Sequence, residues 1–324
     1  MTEIKIPNVS SAQKKGESSF VHHQRSMIKL EWPQQPKSVA IFVQSTLSDN
    51  YNLLNGMKHF LIEKMGLKIS EGKYTDEDFI IAIGTDGFNL DVSAYFQDRE
   101  VPPILSLTPN KKGFLSFHEL SGFSVFIPQV IRGNCWILPR CRLLVEYRSL
   151  QGVERLCVLN DVVVNRDPLS GALFLNCSCN GFCFSQLHGD GVIISTPTGS
   201  TAYNKGAGGA LVHPLLPVFM MTPICALSLS ARPIIFPQTA VLKISLDNSN
   251  DLKKGPQLAY FTLDGQKHIR FNPGDELTIS VSPYNYQSIL MNKSIAEWPV
   301  RLAGLMGWNE RKHQKALPSG PIKQ

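Results

Sequence analysis

Nowhere in the 324 residues does an apolar run approach the roughly 20 needed to cross a bilayer. The first residues carry no apolar core of the secretory kind and no Arg-rich amphipathic pattern, so no targeting peptide is assigned and a cytoplasmic protein is the expectation. Basic residues are spread along the chain rather than gathered into a run. Zinc-finger spacing, an aromatic-rich RNA-binding pattern and internal repeats are all missing. These gaps point away from membranes and nucleic acids. A net charge of +6 favours small anionic ligands only weakly.

Cysteine is the other sparse element. Seven residues, an odd number, without a secretion signal imply reduced thiols. Cys177, Cys179, Cys183 and His188 are close enough in sequence to suggest a metal cluster, but Asn180-Gly181 is a strong two-residue hairpin turn. That turn pairs Cys179 with Phe182, Ser178 with Cys183 and Cys177 with Phe184. Cys183 then faces away from Cys177 and Cys179, and a tetrahedral site needs convergent ligands.

The chain divides by pattern. Residues 1–36 are polar and without period, as in a flexible tail, and 311–324 read the same way. From Lys37 the runs Val39–Val43 and Phe79–Ile83 read as buried strands of a parallel sheet, Pro102–Leu107 reads as a third strand, and Asn52–Met65 has helical spacing. A second helix is expected over Asn89–Phe96. Strand–helix alternation implies a three-layer α/β domain over 37–125. The stretch 126–285 instead holds short, often alternating strand-like runs between turns, as in a β-sandwich. Helical character returns at Ile295–Leu305, interrupted by Pro299, so 286–310 is assigned back to the first domain. The fold class is α/β + all-β.

Two stretches carry candidate chemistry. Gly84-Thr85-Asp86-Gly87-Phe88 follows a buried strand and precedes a helix, the geometry that turns backbone N–H groups toward an anion. It matches neither the Walker A pattern nor the three-glycine dinucleotide fingerprint. The second stretch is Leu187 to Tyr203, with Gly189-Asp190-Gly191, the strand Val192-Ile193-Ile194 and Thr196-Pro197-Thr198-Gly199-Ser200-Thr201-Ala202-Tyr203. Its five hydroxyls and small side chains suggest a surface where a ligand approaches the backbone closely while hydroxyls bond its polar edges. His188, His213 and His268 are assigned no role.

The order of these turns resembles the NAD kinases. It runs Gly-x-Asp-Gly, Gly113-Phe114-Leu115, Leu159-Asn160-Asp161, Gly-Asp-Gly, Thr-Pro-Thr-Gly-Ser-Thr-Ala-Tyr, Thr222-Pro223-Ile224-Cys225, Ser228 to Pro233, then Leu263-Asp264-Gly265. The resemblance spans about 37–310 and is densest from Leu159 to Pro237. It implies an α/β domain and a β-rich NAD-binding domain with nucleotide between them. It also implies Mg²⁺-dependent transfer of the γ-phosphoryl of ATP to the 2′-hydroxyl of the adenosine ribose of NAD, and homodimers or homotetramers. By the resemblance, Asp86 either orients the hydroxyl and accepts its proton or holds Mg²⁺, and Gly84 and Gly87 shape the loop. Phe114 packs near the adenine, and Asn160 and Asp161 bond ribose or adenine. Asp190, Thr198, Thr201, Ala202 and Tyr203 line the NAD pocket, and Asp264 lies toward the nicotinamide.

The match departs from the family on the donor side. Thr85 and Phe88 replace a glycine and a threonine of Gly-Gly-Asp-Gly-Thr, and Lys111-Lys112 precede the Gly-Phe-Leu turn. A Cβ at Thr85 is expected to restrict positive φ, and Phe88 to bring bulk in place of a hydroxyl. A second reading follows from these departures: a relative that binds NAD or NADP without turnover, as a sensor or regulatory subunit.

Overall fold

The computed structural model describes residues 26–47, 50–97, 99–109, 112–247, 257–294 and 297–310. Residues 1–25 and the expected tail 311–324 lie outside these. The first sheet takes its strands from β1 (Ile28–Lys29), β2 (Ser38–Val43), β3 (Lys68–Glu71), β4 (Phe79–Ile83), β5 (Ile104–Thr108), β6 (His118–Glu119) and β7 (Trp136–Arg140), joined by Tyr286–Leu290 from late in the chain. β2, β3, β4 and β5 run parallel. Their side chains alternate: Val39, Ile41, Phe79 and Ile81 share one cluster, and Ala40, Phe42, Ile80 and Ala82 another. Both faces are therefore apolar, as the continuous runs required.

Helices cover both faces. α1 (Tyr51–His59), which continues through a π turn over Phe60–Lys64, places Met57 and Leu61 on the first face, where α3 (Phe123–Ile131) adds Ile127 and Val130. α2 (Asp86–Phe96) lays Val92 and Phe96 on the other. This is the expected three-layer unit.

From Leu143 the chain builds two antiparallel six-stranded sheets. One has the order β12 (Phe182–Gly189), β11 (Leu173–Cys179), β16 (Leu242–Leu246), β19 (Glu276–Val281), β8 (Leu143–Ser149), β9 (Gly152–Val158). The other runs β15 (Ile234–Pro237), β14 (Val218–Ile224), β13 (Gly191–Ser195), β10 (Asp161–Arg166), β17 (Ala259–Leu263), β18 (Lys267–Phe271). Their inner faces share one core that includes Val145, Leu175, Ile244, Val164, Ile194 and Phe261. The chain then returns as β20 (Tyr286–Leu290), parallel to β5 and antiparallel to β7, and ends its described course in α5 (Glu297–Met306).

Four expectations change. Residues 26–36 are not tail: β1 pairs with β7, Met27 and Leu30 are buried, and the Trp32 indole donates to Val130 O at 2.7 Å. The sandwich starts at Leu143, not near 126, because the run Trp136–Arg140 finds its partner in the distant β20. At the Asn180-Gly181 turn a bulge sets Cys177 opposite Ser185 rather than Phe184. Pro299 does not break the last helix, because it is the third residue, where its missing N–H costs no helical bond.

One buried side chain ties the returning strand to the first domain. Asn89 Nδ2 donates to Ser116 Oγ at 2.7 Å and Thr85 O at 3.1 Å; Asn89 Oδ1 accepts from the Ser106 and Tyr286 hydroxyls, each at 2.6 Å. Asn89→Ala strands these groups without partners. Denaturant unfolding should show a loss of about 2–4 kcal/mol. A loss of less than about 0.5 kcal/mol would contradict the assigned role.

Candidate functional site

The Gly-x-Asp-Gly turn leads from β4 straight into α2, which begins at Asp86, three residues before the expected start. Thr85 is the extended residue ahead of the helix, at φ −82°, so its Cβ is unstrained and the family's second glycine is not required here for positive φ. Phe88 packs against the apolar cluster of Ala40, Phe42 and Ile80. Gly84 and Gly87 also lack positive φ. A Cβ on Gly84 would meet Phe88 and Gln44, whereas Gly87 is exposed and a Cβ there would make ordinary contact with Thr85 Oγ1 at 3.7 Å.

Asp86 occupies the first turn of α2, where a negative charge suits the helix dipole. Its carboxylate accepts three backbone bonds from the Gly-Phe-Leu turn: Phe114 N to Oδ2 at 2.7 Å, and Leu115 N and Ser116 N to Oδ1, each at 2.9 Å. Any side chain at Gly113 would collide with this carboxylate. The two glycine turns are thus one structure. Lys112 pairs with Glu119 at 2.9 Å, and Lys111 lies outside the described residues.

Arg140 links this structure to the second stretch. It is buried at the end of β7 and donates through Nε to Ser288 Oγ at 2.9 Å, through Nη2 to Phe114 O at 3.2 Å and through Nη1 to Thr198 Oγ1 at 3.4 Å. Burial pushes its pKa down to about 10, with the nearby charge of Asp86 opposing the fall.

The hydroxyl-rich turn does not present its hydroxyls as expected. Ser195 Oγ donates to Asn160 O, Thr196 Oγ1 to Leu159 O, Ser200 Oγ to Pro197 O and Thr201 Oγ1 to Thr198 O. Thr198 is buried, its hydroxyl facing Arg140. Small polar side chains here replace the bonds that an irregular buried backbone lacks. Gly199 must be glycine because a Cβ would strike Asn160 O. Asn204, fully buried, closes the turn by donating to Ser200 O and Ala210 O and accepting from the Thr222 hydroxyl. Ala202 and Tyr203 are left outside, Tyr203 at 47% exposure, on a helical turn of only four residues, α4 (Tyr203–Gly206).

Asn160 and Asp161 sit beside this turn because Thr196 N donates to Asn160 O at 2.8 Å. Asp264 sets their backbone: Leu159 N donates to Oδ2 at 2.9 Å, and Asn160 N and Asp161 N donate to Oδ1 at 2.8 and 3.1 Å. Asp264 is therefore placed under the Leu159–Asp161 corner and its carboxylate is occupied there. Asp190 stands apart, at the far end of β13, roughly 20 Å along the strand from Thr196 at about 3.3 Å per residue. It is ion-paired with Arg166 at 2.6 Å. Burial pushes the exposed Tyr203 phenol up, with smaller contributions from Tyr260, Cys225, Asp161 and Asp190. A candidate strip takes in the half-buried Asn160 and Asp190 with the exposed Ala202 and Tyr203.

Two carboxylates share the near end of the strip. Burial pushes Asp161 up to about 7, and the charge of Asp264 adds to this; burial also pushes Asp264 up, to about 6. Asp264 keeps three N–H donors and the field of Arg142, while the Asp161 carboxylate has no hydrogen-bond partner among the described residues. Asp161 therefore takes the proton of the pair. No group of three His, Cys, Asp or Glu side chains suited to a metal occurs among the described residues. Asp86 Oδ2, which accepts a single N–H, is the carboxylate oxygen with capacity left for a metal carried by a phosphate ligand.

A sequence model of the ATP-NAD kinase C-terminal domain matches residues 159–291. Probable NAD kinase 2, chloroplastic, of Oryza sativa subsp. japonica is 32% identical over 93% of this chain and 29% of its own length. The NAD(+) kinase of Saccharomyces cerevisiae is 30% identical over 97% of this chain and 62% of its own. The chain belongs to the NAD kinase family. It spans less than two thirds of the length of these curated relatives. Yeast NADH kinase complexed with NADH superposes at a TM-score of 0.79 with 22% identity, covering 90% of this chain and 92% of that one. An NAD kinase from Archaeoglobus fulgidus in complex with ATP superposes at 0.64 with 20% identity, covering 83% and 97%. These two likenesses show that the fold is that of the NAD kinases.

Within this NAD kinase fold, Asp86, Phe114 and Thr198 form one bonded chain through Arg140, and Asn160, Asp161 and Asp264 form a second unit against the Thr196 turn. Arg140, Asn204 and Arg166 did not emerge from the sequence. Arg140 left one signal, a charge closing the apolar run Trp-Ile-Leu-Pro-Arg, since a cation in a buried strand needs several acceptors. Nothing local marked Asn204 or Arg166.

The acid pair makes stability depend on pH. Below about pH 4 these carboxylates hold protons in both the folded and the unfolded chain. From there to about pH 7 the unfolded chain releases protons that the folded protein keeps on Asp161, so stability falls as pH rises. Asp161→Asn should flatten the fall in unfolding midpoint between about pH 5 and 8 and raise the midpoint at the upper end. An unchanged slope would assign the dependence elsewhere.

Proposed function

We propose that this protein is an NAD kinase, transferring the γ-phosphoryl of ATP, with Mg²⁺, to the 2′-hydroxyl of the adenosine ribose of NAD and forming NADP. The observation that carries this reading is the bonded chain Asp86–Phe114–Arg140–Thr198, which brings the turn suited to a phosphate donor against the candidate strip suited to a dinucleotide. The named relatives and the fold support the same activity.

Phosphoryl transfer rests on positioning and electrostatics. On this reading the adenosine lies between Phe114 and the Asn160–Asp161 corner, with Tyr203 along the strip toward Asp190. Asp161, pushed up to about 7 by burial, can donate in its protonated form as well as accept, which suits a ribose hydroxyl or an adenine nitrogen. Ala202 presents no bulk, and Thr198 and Thr201 act by holding the turn. Gly87 and the first amides of α2 leave open space for the donor phosphates. Asp86 Oδ2 would hold Mg²⁺ carried with the triphosphate, and the ion would supply charge neutralisation of the phosphates. Asp86 orients the 2′-hydroxyl and accepts its proton.

The three amide bonds to Asp86 favour a second reading, in which the protein binds NAD or NADP without turnover, because they engage both carboxylate oxygens. An assay for NADP with NAD, ATP and Mg²⁺, run beside NAD calorimetry, separates the two. The kinase reading predicts NADP formation, and Asp86→Asn should lower kcat by about 10²–10⁴-fold with NAD affinity held within a few fold. NAD binding without NADP formation would establish the second reading.

A further inference from the structure

Arg301 is unlike the other cations near the site. It projects from α5, and its guanidinium carbon lies 4.0 Å from the centre of the Phe117 ring. The side chain is 28% exposed, and its nearest ion-pair contact, to Glu297, is a long 3.9 Å. It has no hydrogen-bond acceptor among the described residues. Arg140, by contrast, has three acceptors, in Ser288, Thr198 and Phe114. A guanidinium seated over an aromatic ring with its donors unused is prepared for a ligand, because the ring contact restrains the side chain while leaving the fork open.

Its surroundings indicate the class of ligand. Arg301 lines a small cavity together with Phe114, Arg140, His213 and Trp298. Phe114 is the residue whose amide binds Asp86 and whose carbonyl binds Arg140, so the cavity adjoins the two glycine turns. Arg301 and Arg140 both lie in the field of Asp86, whose oxygens are already engaged by three amides. His118, in contact with Phe117, is pushed down to about 4 by burial and by the charge of Arg301, so it stays neutral and adds no competing cation. The charges at this wall are the guanidiniums of Arg140 and Arg301 and the carboxylates of Asp86 and Glu297, and of these Arg301 is the one whose hydrogen-bonding groups are unengaged among the described residues.

We propose that Arg301 is a phosphate-binding residue, gripping a phosphate of the bound nucleotide beside the Asp86 turn. This rests on the kinase reading for the identity of the nucleotide. Two sources carry the same group, the triphosphate of the donor and the diphosphate of the dinucleotide. From a helix far away in sequence, Arg301 then supplies a phosphate partner at a loop where Phe88 offers no hydroxyl.

The test is calorimetry of ATP, NAD and inorganic tripolyphosphate with wild-type protein, Arg301→Met and Arg301→Lys, with thermal unfolding as a check on folding. Arg301→Met should weaken one nucleotide about 10–100-fold and spare the other, as removal of a charge-assisted bidentate interaction does. Loss of ATP and tripolyphosphate binding assigns the donor; loss of NAD binding assigns the dinucleotide diphosphate. Arg301→Lys keeps the charge without the fork and should recover part of the affinity; if the methionine variant does not fold, a selective loss of at least about threefold in the lysine variant is the expected result. Unchanged affinities for all three probes in folded variants would overturn the proposal, as would an equal loss for both nucleotides. Wild-type protein that binds both nucleotides but forms no NADP would refute the kinase reading and leave Arg301 to the binding data. Wild-type protein that binds neither would refute both.

Discussion

The site depends on a buried guanidinium. Arg140 leaves water at the end of an apolar strand, and a charge so placed is tolerable only where acceptors surround it. Its acceptors come from three separate parts of the chain: Ser288 on the returning strand, Phe114 on the glycine turn and Thr198 on the hydroxyl-rich turn. Each acceptor must be in place for the charge to be buried, so the requirement of one side chain holds the α/β domain, the returning strand and the sandwich in register. Arg142, two residues on, is also buried and reaches Ser93 O, Arg99 O and Tyr284 O. The crossing between domains is built from cations enclosed by carbonyls and hydroxyls.

Carboxylates do the complementary work. Asp86 gathers the amides of Phe114 to Ser116, and Asp264 gathers those of Leu159 to Asp161. In each case a carboxylate satisfies consecutive N–H groups of a corner that no sheet or helix could satisfy. The two corners are the ends of a prospective nucleotide cleft. Outside these corners Ala202 and Tyr203 are exposed, and Arg301 lies over the Phe117 ring with open donors.

Much of the frame was legible in the chain. Val39–Val43 and Phe79–Ile83 declared themselves as buried strands, and the short alternating runs after 126 declared a sandwich. Asn180-Gly181 fixed its hairpin, with both residues at positive φ, but not the bulge beyond it. What local pattern could not show was partnership at long range. β7 and β1 belong to the first sheet only because β20 returns to receive β7. The hydroxyls of Ser195 to Thr201 looked like a ligand surface because composition cannot distinguish a hydroxyl facing solvent from one bonded to a neighbouring carbonyl. Thr85 looked obstructive because the family glycine suggested positive φ, whereas the helix begins one residue later and leaves Thr85 extended.

The central claim is that Asp86 and the strip from Asn160 to Asp190 face one ligand. A crystal structure of the protein with NAD bound tests it most directly. The account predicts the adenosine ribose between Phe114 and Asp161, with its 2′-oxygen within about 2.6–3.2 Å of the Asp86 carboxylate or one water away. NAD bound along the strip with its ribose out of reach of Asp86, and the three amide bonds to that carboxylate unchanged, would contradict it.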